Sequence, residues 1–252
     1  MNMAVADSLA RFERHALADQ SGVALMNRVD TKCMLPTQVL EPCLPGLRHG
    51  YTVLDIDGCR RFGYDTLYLD TPNRQSFLDH HNGKLNRFKC RLRHYRQSQT
   101  TFLEVKKKTN RLRTEKNRVQ VTPGLSANES LSRFLNEYLG LPAAGMQPAL
   151  FVSYQRATLI NRGGSERVTL DTQLTFHSPD RRRSVRLPNL AVVEIKYQRK
   201  SNGSPMRRCL GELGYRPVSF SKYCVGSSLL FSSDLKINRF KPLLRTLHGI
   251  CG

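Results

Sequence analysis

Six segments of the chain alternate charged and apolar residues with a period of two, a pattern that predicts β-strands with one charged and one apolar face. The clearest is 87–95, where Arg or Lys occupies every second position from 87 to 93 and Phe88, Cys90 and Leu92 lie between them. Like charges on one strand face repel each other, which indicates an anionic partner. The other segments are 28–33, 101–108, 116–121, 167–171 and 193–197.

Two architectures fit six strands of this kind. One is an ordinary antiparallel sheet whose charged face lies in solvent. The other is a closed barrel with a charged lumen and an apolar exterior that helices cover. The alternation alone leaves both open, although its repetition with more cations than acids favours a lumen that holds a polyanion.

The remaining segments predict helices and a hairpin, which makes the chain an α+β protein rich in antiparallel strands. Pro follows Ser204, as at the start of many helices. The predicted elements are a helix over 7–18, a hairpin of strands 149–160 and 167–176 joined at 161–164, a helix from Ser204 and a last helical segment from Phe220.

No composition shift or low-complexity linker divides the chain, whose 252 residues suit one large domain. We therefore predict a single domain over 1–252. Its core covers about 25–225, and a C-terminal helical segment covers about 221–252.

The charge balance points to anionic partners. Lys and Arg number 40 against 20 Asp and Glu, a formal net charge of +20. Such a field attracts nucleic acid, acidic lipid or polyphosphate. No zinc-finger spacing or recognition-helix signature occurs, and a narrow lumen without aromatic residues on its charged face does not suit nucleic acid. We expect no specific nucleic-acid partner.

Cysteine usage and hydropathy bear on location. The seven cysteines are scattered and form no CxxC pair, which fits reduced thiols in the cytosol. No apolar run reaches the length of a membrane span, and the N-terminus is not a signal peptide. We expect a cytoplasmic protein, with peripheral attachment at the inner face of a membrane, through its basic surface or a membrane-protein partner, as the alternative.

The cations on the predicted strands suit binding of linear phosphates. Arg donates two parallel hydrogen bonds to one phosphate, and phosphoryl transfer needs positioning, charge neutralisation and a metal more than covalent help. The candidates for this charge are Arg91, Arg93, Lys106, Lys116, Arg118, Arg156 and Arg167.

One carboxylate is the best candidate for a divalent metal. Glu194 lies within a strand between Val193 and Ile195 rather than in a loop. Glu104 and Asp171 are secondary candidates, and their alternative role is to hold neighbouring Lys and Arg side chains in place.

The order of these motifs resembles the VTC domain, the polyphosphate polymerase family within the CYTH or triphosphate tunnel superfamily. The similarity covers about residues 25–225. The matching motifs are Arg28-Val-Asp30-Thr-Lys32, Tyr68-Leu-Asp70-Thr71, Lys89-Cys-Arg91-Leu-Arg93-His-Tyr95, Phe102-Leu-Glu104-Val-Lys106, Lys116-Asn-Arg118, Arg156, Arg167-Val-Thr-Leu-Asp171, Val193-Glu194-Ile-Lys196 and Phe220-Ser221-Lys222-Tyr223.

The resemblance implies a closed antiparallel tunnel of about eight strands, use of ATP, growth of an inorganic polyphosphate chain by transfer of the γ-phosphate, and Mn²⁺ or Mg²⁺ as cofactor. It implies a metal ligand at Glu194. It further implies catalytic roles for Arg91, Arg93, Lys106, Arg156 and Arg167, and phosphate binding by Lys32, Lys89, Lys116, Arg118, Lys196, Ser221 and Lys222.

The chain departs from the family pattern in two places. The family often has a basic residue two positions before the Ser-Lys pair, where this chain has Ser219, and the first strand has one acid, Asp30, with Arg28. The single acid favours the polymerase branch over a triphosphatase with several first-strand carboxylates. A hydrolase of the same fold and a polyphosphate-binding module without turnover remain the alternatives.

Overall fold

The computed structural model describes residues 3–20, 28–110, 114–121, 127–140, 145–198 and 203–252. These residues form an α+β structure with eleven strands and seven α-helices. The strands are β1 Glu13–His15, β2 Arg28–Pro36, β3 Tyr51–Leu54, β4 Phe62–Asp70, β5 Arg87–Tyr95, β6 Thr100–Lys108, β7 Thr114–Val121, β8 Gln147–Asn161, β9 Glu166–His177, β10 Ser184–Leu187 and β11 Leu190–Gln198. The helices are α1 Met3–Ala10, α2 Leu40–Leu47, α3 Gln75–His81, α4 Ala127–Leu139, α5 Pro205–Glu212, α6 Lys222–Leu230 and α7 Lys241–Cys251.

In the described residues the strands form one sheet, and no ladder joins its first and last strands, so the sheet is not closed. Its main path runs β2-β11-β9-β8-β4-β5-β6-β7, with antiparallel neighbours throughout. Strand β3 pairs with β8, β10 with β9, and β1 pairs in parallel with β3. The prediction of a closed barrel of about eight strands is therefore wrong. Alternation fixes which face each side chain occupies, whereas closure needs a hydrogen-bonded ladder between the first and last strands.

The six predicted strands are confirmed in β2, β5, β6, β7, β9 and β11, and the antiparallel register places their charged residues on one face. Arg91 lies opposite Glu104 and Tyr68, and Glu194 lies opposite Lys32 and Thr169. Residues directly opposite each other in a sheet point to the same side. We call this side the inner face, and the other side the outer face.

Helices cover the apolar outer face. At one end α1, α2 and α5 pack on the apolar residues of β2, β9 and β11, such as Cys33, Leu170 and Val193. At the other end Phe134 and Leu135 of α4 pack on Cys90 and Leu103 of β5 and β6.

The inner face also carries an apolar core, which the alternation does not predict. Leu150 and Phe176 of β8 and β9 are buried beneath Tyr223 and Val225 of α6, and α3 and α7 complete this cluster. The inner face is thus divided into an apolar part under the C-terminal helices and a charged part that they leave open.

The contact between α6 and the inner face is tight at Gly226. A Cβ atom there would lie 2.3 Å from a ring carbon of Phe176 and 2.8 Å from a methyl carbon of Leu150. We expect Gly226→Ala to lower the free energy of unfolding by about 1–3 kcal/mol, because the inserted methyl group overpacks the core. Urea denaturation measures the change. Gly249→Ala in α7 is the control, since nothing lies within 4 Å of its Cβ position, and a loss of similar size there would contradict this explanation.

The N-terminal helix is shorter than predicted. The helix predicted over 7–18 ends at Ala10, and β1 follows. A terminal guanidinium nitrogen of Arg60 donates hydrogen bonds to the carbonyl oxygens of Leu9, Ala10 and Phe12 at 2.8, 2.7 and 3.1 Å. Leu9 and Ala10 are the last two residues of α1, where carbonyls lack the usual helical donor, so a residue 50 positions away along the chain helps to satisfy the end of the helix.

Candidate functional site

Three carboxylates, two of them buried and the third 18% exposed, organise the cations of the inner face. The first is Glu104 on β6, whose side chain is 2% exposed. Arg91 contacts one of its oxygens at 2.6 Å, Lys116 contacts the other at 2.7 Å, and Arg93 lies 3.8 Å away. Burial opposes ionisation of Glu104, but the three cations outweigh it and lower its pKa to about 2. The carboxylate therefore stays charged and fixes three phosphate-binding candidates.

The second carboxylate, Asp171 on β9, joins the sheet to α6. Both of its oxygens accept hydrogen bonds from Arg156, at 2.6 and 2.8 Å, and the Lys222 ammonium donates to one of them. Asp171 is fully buried; burial raises its pKa, whereas Arg156 and Lys222 lower it, with a net result of about 2. Lys222 is the first residue of α6, and its neighbour Ser221 is the N-cap. The Ser221 hydroxyl also accepts a hydrogen bond from Lys89 at 2.7 Å.

The third carboxylate is Glu194 on β11, the metal candidate. Lys196 donates a hydrogen bond to it at 2.6 Å, and Lys32 of β2 lies 3.6 Å away. Burial opposes ionisation, but these ammonium groups hold the pKa of Glu194 well below its usual range. Burial and the Lys32 ammonium lower the pKa of Lys106, which reaches toward the same place from β6. Cations of β2, β6 and β11 thus converge at Glu194.

Aromatic rings line the same face, contrary to the expectation of a charged face without them. Tyr64 and Tyr154 stack at 5.1 Å between centroids, and the Arg156 guanidinium lies 5.2 and 5.3 Å from the two rings. Lys222 lies 4.5 Å from the Tyr154 ring. Tyr68 accepts a hydrogen bond from Arg91 at 3.3 Å. Tyr64 and Tyr68 are an even number of residues apart on β4, so they share one face of the strand. The pairing of β4 with β5 puts this face on the same side as the β5 cations, and this even spacing is the sequence signal that could reveal the two rings.

The structure brings most of the predicted residues together around the three carboxylates. Arg118 lies at the exposed edge on β7, with its guanidinium 4.9 Å from the Phe102 ring. Arg167 lies opposite Lys196 on the inner face, two residues along β9 from Thr169, the residue opposite Glu194. Ser219, where the family often has a basic residue, is exposed in the segment before α6. The residues around the three carboxylates are Lys32, Lys89, Arg91, Arg93, Lys106, Lys116, Arg156, Lys196, Ser221 and Lys222.

The donors near Glu194 fit a divalent ion that phosphate also ligates. In the described part of the chain, no three His, Cys, Asp or Glu side chains lie together as a metal cage. Mg²⁺ is commonly held by one or two carboxylates together with substrate phosphates, and Mn²⁺ suits the same oxygen donors. Glu194 is ionised and more exposed than Glu104 or Asp171. A divalent ion there would be held by Glu194 together with substrate phosphates, which would offset the Lys196 and Lys32 charges.

The depressed pKa values of two buried carboxyls predict acid sensitivity. Both Glu104 and Asp171 have a folded-state pKa of about 2, below the unfolded values of about 4. Each therefore stabilises the fold above about pH 4, by roughly 2–3 kcal/mol, and this contribution is lost as the pH falls from about 4 to 2. We expect the thermal unfolding midpoint to fall over this range, and to fall less steeply in Glu104→Gln. Equal slopes in the two proteins would contradict this assignment.

The described residues thus form an antiparallel sheet with flanking helices, whose inner face carries cations held by carboxylates, an arrangement suited to anionic phosphate groups. The family model of the VTC domain matches residues 27–231, and the chain belongs to the VTC domain family.

Solved structures show the same fold at low sequence identity. HpAC1 of Hippeastrum, a proposed adenylyl cyclase with a dominant triphosphatase activity, is 17% identical with a TM-score of 0.50, covering 82% of this chain and 97% of its own. A proposed adenylate cyclase from Bacillus halodurans is 12% identical with a TM-score of 0.51, covering 85% of this chain and 99% of its own.

No curated protein matches the chain at a significant level. No helix of the described residues combines the length and the apolarity that crossing a bilayer requires.

Proposed function

We propose that the protein is a polyphosphate polymerase that transfers the γ-phosphate of ATP to a growing inorganic polyphosphate chain on the inner face. The observation that carries the proposal is the grouping of cations from β2, β5, β6, β7, β8, β11 and α6 around three ionised carboxylates. Each carboxylate is shared by at least two cations, so positive charge remains for phosphate. The VTC family membership supports the polymerase over other uses of such a surface.

In the proposed reaction a terminal oxygen of the polyphosphate chain attacks the γ-phosphorus of ATP. A new P–O bond forms, the bond between the γ-phosphorus and the bridging oxygen of the β-phosphate breaks, and ADP leaves. The products are ADP and a chain longer by one phosphate. Phosphoryl transfer of this kind depends on positioning and on neutralising the equatorial oxygens.

The residues of the inner face divide these tasks. Glu104 and Asp171 hold Arg91 and Arg156 in fixed positions on the inner face, where their guanidinium groups can bind phosphate. We assign charge neutralisation at the transferred group to them, together with Arg93, Lys106 and Arg167. Lys89, Ser221 and Lys222 at the start of α6 bind neighbouring phosphates. A divalent ion held by Glu194, when bound, neutralises phosphate charge.

Products distinguish the polymerase from its alternatives. The purified chain is incubated with ATP and Mn²⁺, and the products are separated on a gel stained for polyphosphate. A ladder of increasing length with release of ADP supports the proposal. Free phosphate without a ladder would indicate a hydrolase of the same fold, and salt-sensitive binding of polyphosphate without loss of ATP would indicate a binding module.

A further inference from the structure

Four aromatic rings form a continuous row across β8, β4, β5 and β6 on the inner face. Tyr154 and Tyr64 stack at 5.1 Å with an interplanar angle of 5°. Tyr64 contacts Tyr95 at 5.0 Å, and Tyr95 contacts Phe102 edge-on at 5.8 Å. We call these four residues the aromatic belt. Tyr154 is buried, whereas Tyr64, Tyr95 and Phe102 keep part of their surface in solvent.

The belt lies beside the phosphate-binding candidates. The Arg93 guanidinium is 5.6 Å from the Tyr64 ring, and that of Arg118 is 4.9 Å from the Phe102 ring. Along β5, Tyr95 is two residues from Arg93 and four from Arg91, which corresponds to about 7 and 14 Å at the usual rise of a strand. A ligand with a flat ring at Tyr95 and a phosphate tail along β5 therefore reaches both arginines.

Arg93 and Arg118 pack on part of the belt, but an inorganic phosphate chain makes no use of the ring surface that stays exposed. Phosphates need donors and positive charge, which Arg and Lys supply, whereas an aromatic ring offers its face to another flat π-system or to a cation. A nucleobase has such a face, and an arginine guanidinium can stack on it as well. Tyr95, Phe102 and Arg118 provide these three flat groups at one edge of the site.

We propose that the aromatic belt binds the base of a nucleoside triphosphate. The base stacks at Tyr95 and Phe102, and the triphosphate runs toward Arg93 and Arg91. This inference rests on the proposed function, because it uses the same phosphate site, and it adds that the donor substrate is a nucleotide recognised through its base. Stacking accepts any base, so the inferred ligand class is nucleoside triphosphates in general.

Binding of ATP and of inorganic tripolyphosphate, measured by isothermal titration calorimetry, tests the inference. The two ligands share the phosphates but only ATP has a base. We expect Phe102→Ala to weaken ATP binding roughly tenfold, within the range that loss of one stacking ring causes. Tripolyphosphate affinity should stay within about twofold of the wild-type value.

Two further variants separate stacking from packing. Phe102→Leu keeps apolar bulk without an aromatic face, and we expect it to lose ATP affinity as Phe102→Ala does. Thr101→Ala is the control, because its hydroxyl bonds His94 at 3.0 Å on the outer face of the same strand. Thermal unfolding midpoints confirm that each variant is folded.

The outcomes are distinct. Equal loss for both ligands, or no loss for either, would overturn the base-binding role while leaving the phosphate site standing. Wild-type affinity of ATP in Phe102→Leu would show that bulk rather than stacking matters, and would also overturn it. Failure of the wild-type protein to bind either ligand would overturn the proposed function itself and this inference with it.

Discussion

Glu194→Gln is expected to reduce ATP-dependent phosphate transfer about a hundredfold or more. The amide keeps the size of the side chain but has no negative charge, so a metal bound as proposed would lose its protein ligand. The same change removes the counter-charge of Lys196 and Lys32, which lie 2.6 and 3.6 Å from the carboxylate. Both ammonium groups then become available to phosphate, and polyphosphate should bind at least as tightly as before. Initial rates of ADP release and a separate polyphosphate-binding titration measure the two effects.

The opposite direction of the two effects makes the Glu194 test specific. A variant that is merely misfolded loses both transfer and binding. Glu115→Gln on β7 is the matched control, because Glu115 is exposed and has no place in the proposed site. Transfer at the wild-type rate in Glu194→Gln would show that another group holds the metal or that none is needed.

Asp171→Ala is expected to lower the free energy of unfolding by about 3–5 kcal/mol, because it leaves two partly buried cations without their shared counter-ion. The Arg156 and Lys222 side chains are only 15% and 13% exposed, and Asp171 receives hydrogen bonds from both. Since Lys222 begins α6, the repulsion also acts on the contact between this helix and the sheet. Urea denaturation with a fixed slope measures the change.

The matched control for the buried pair is an exposed one. Asp65 and Arg96 form an ion pair at 2.7 Å with side chains 41% and 46% exposed, and Asp65→Ala should cost less than about 1 kcal/mol. A similar loss in both variants would show that burial does not set the strength of these pairs. Loss of stability in Asp171→Ala that disappears in Asp171→Asn would assign the effect to hydrogen bonding rather than to charge.

Strand parity could be predicted from the sequence because it depends on local alternation alone. Lys89, Arg91 and Arg93 had to share a face, and so did Glu194 and Lys196. Antiparallel pairing then places the charged face of each strand beside the charged face of its neighbour. This is why the predicted cations meet on one face, although their separation along the chain is large.

Features that depend on distant contacts could not be predicted in this way. Arg60 binds the carbonyls at the end of α1 from 50 residues away, so the local sequence does not show where this helix ends. Closure of the sheet depends on whether β2 and β7 meet, and no pattern within either strand encodes it. Tyr64 was visible in the sequence, but its parity relative to Arg93 becomes informative only once β4 and β5 are known to be neighbours.

The open sheet has a consequence for the way a long ligand arrives. A closed barrel admits a polymer only when one end of the polymer threads through it. A polymer whose ends are blocked, or are both bound elsewhere, therefore cannot enter. Among the described residues, the strands at the two ends of the main path, β2 and β7, are not paired with each other. If a polymer enters between these two strands, its access depends neither on its length nor on its termini. Retention then depends on charge alone, and added salt releases a long chain without its having to slide out.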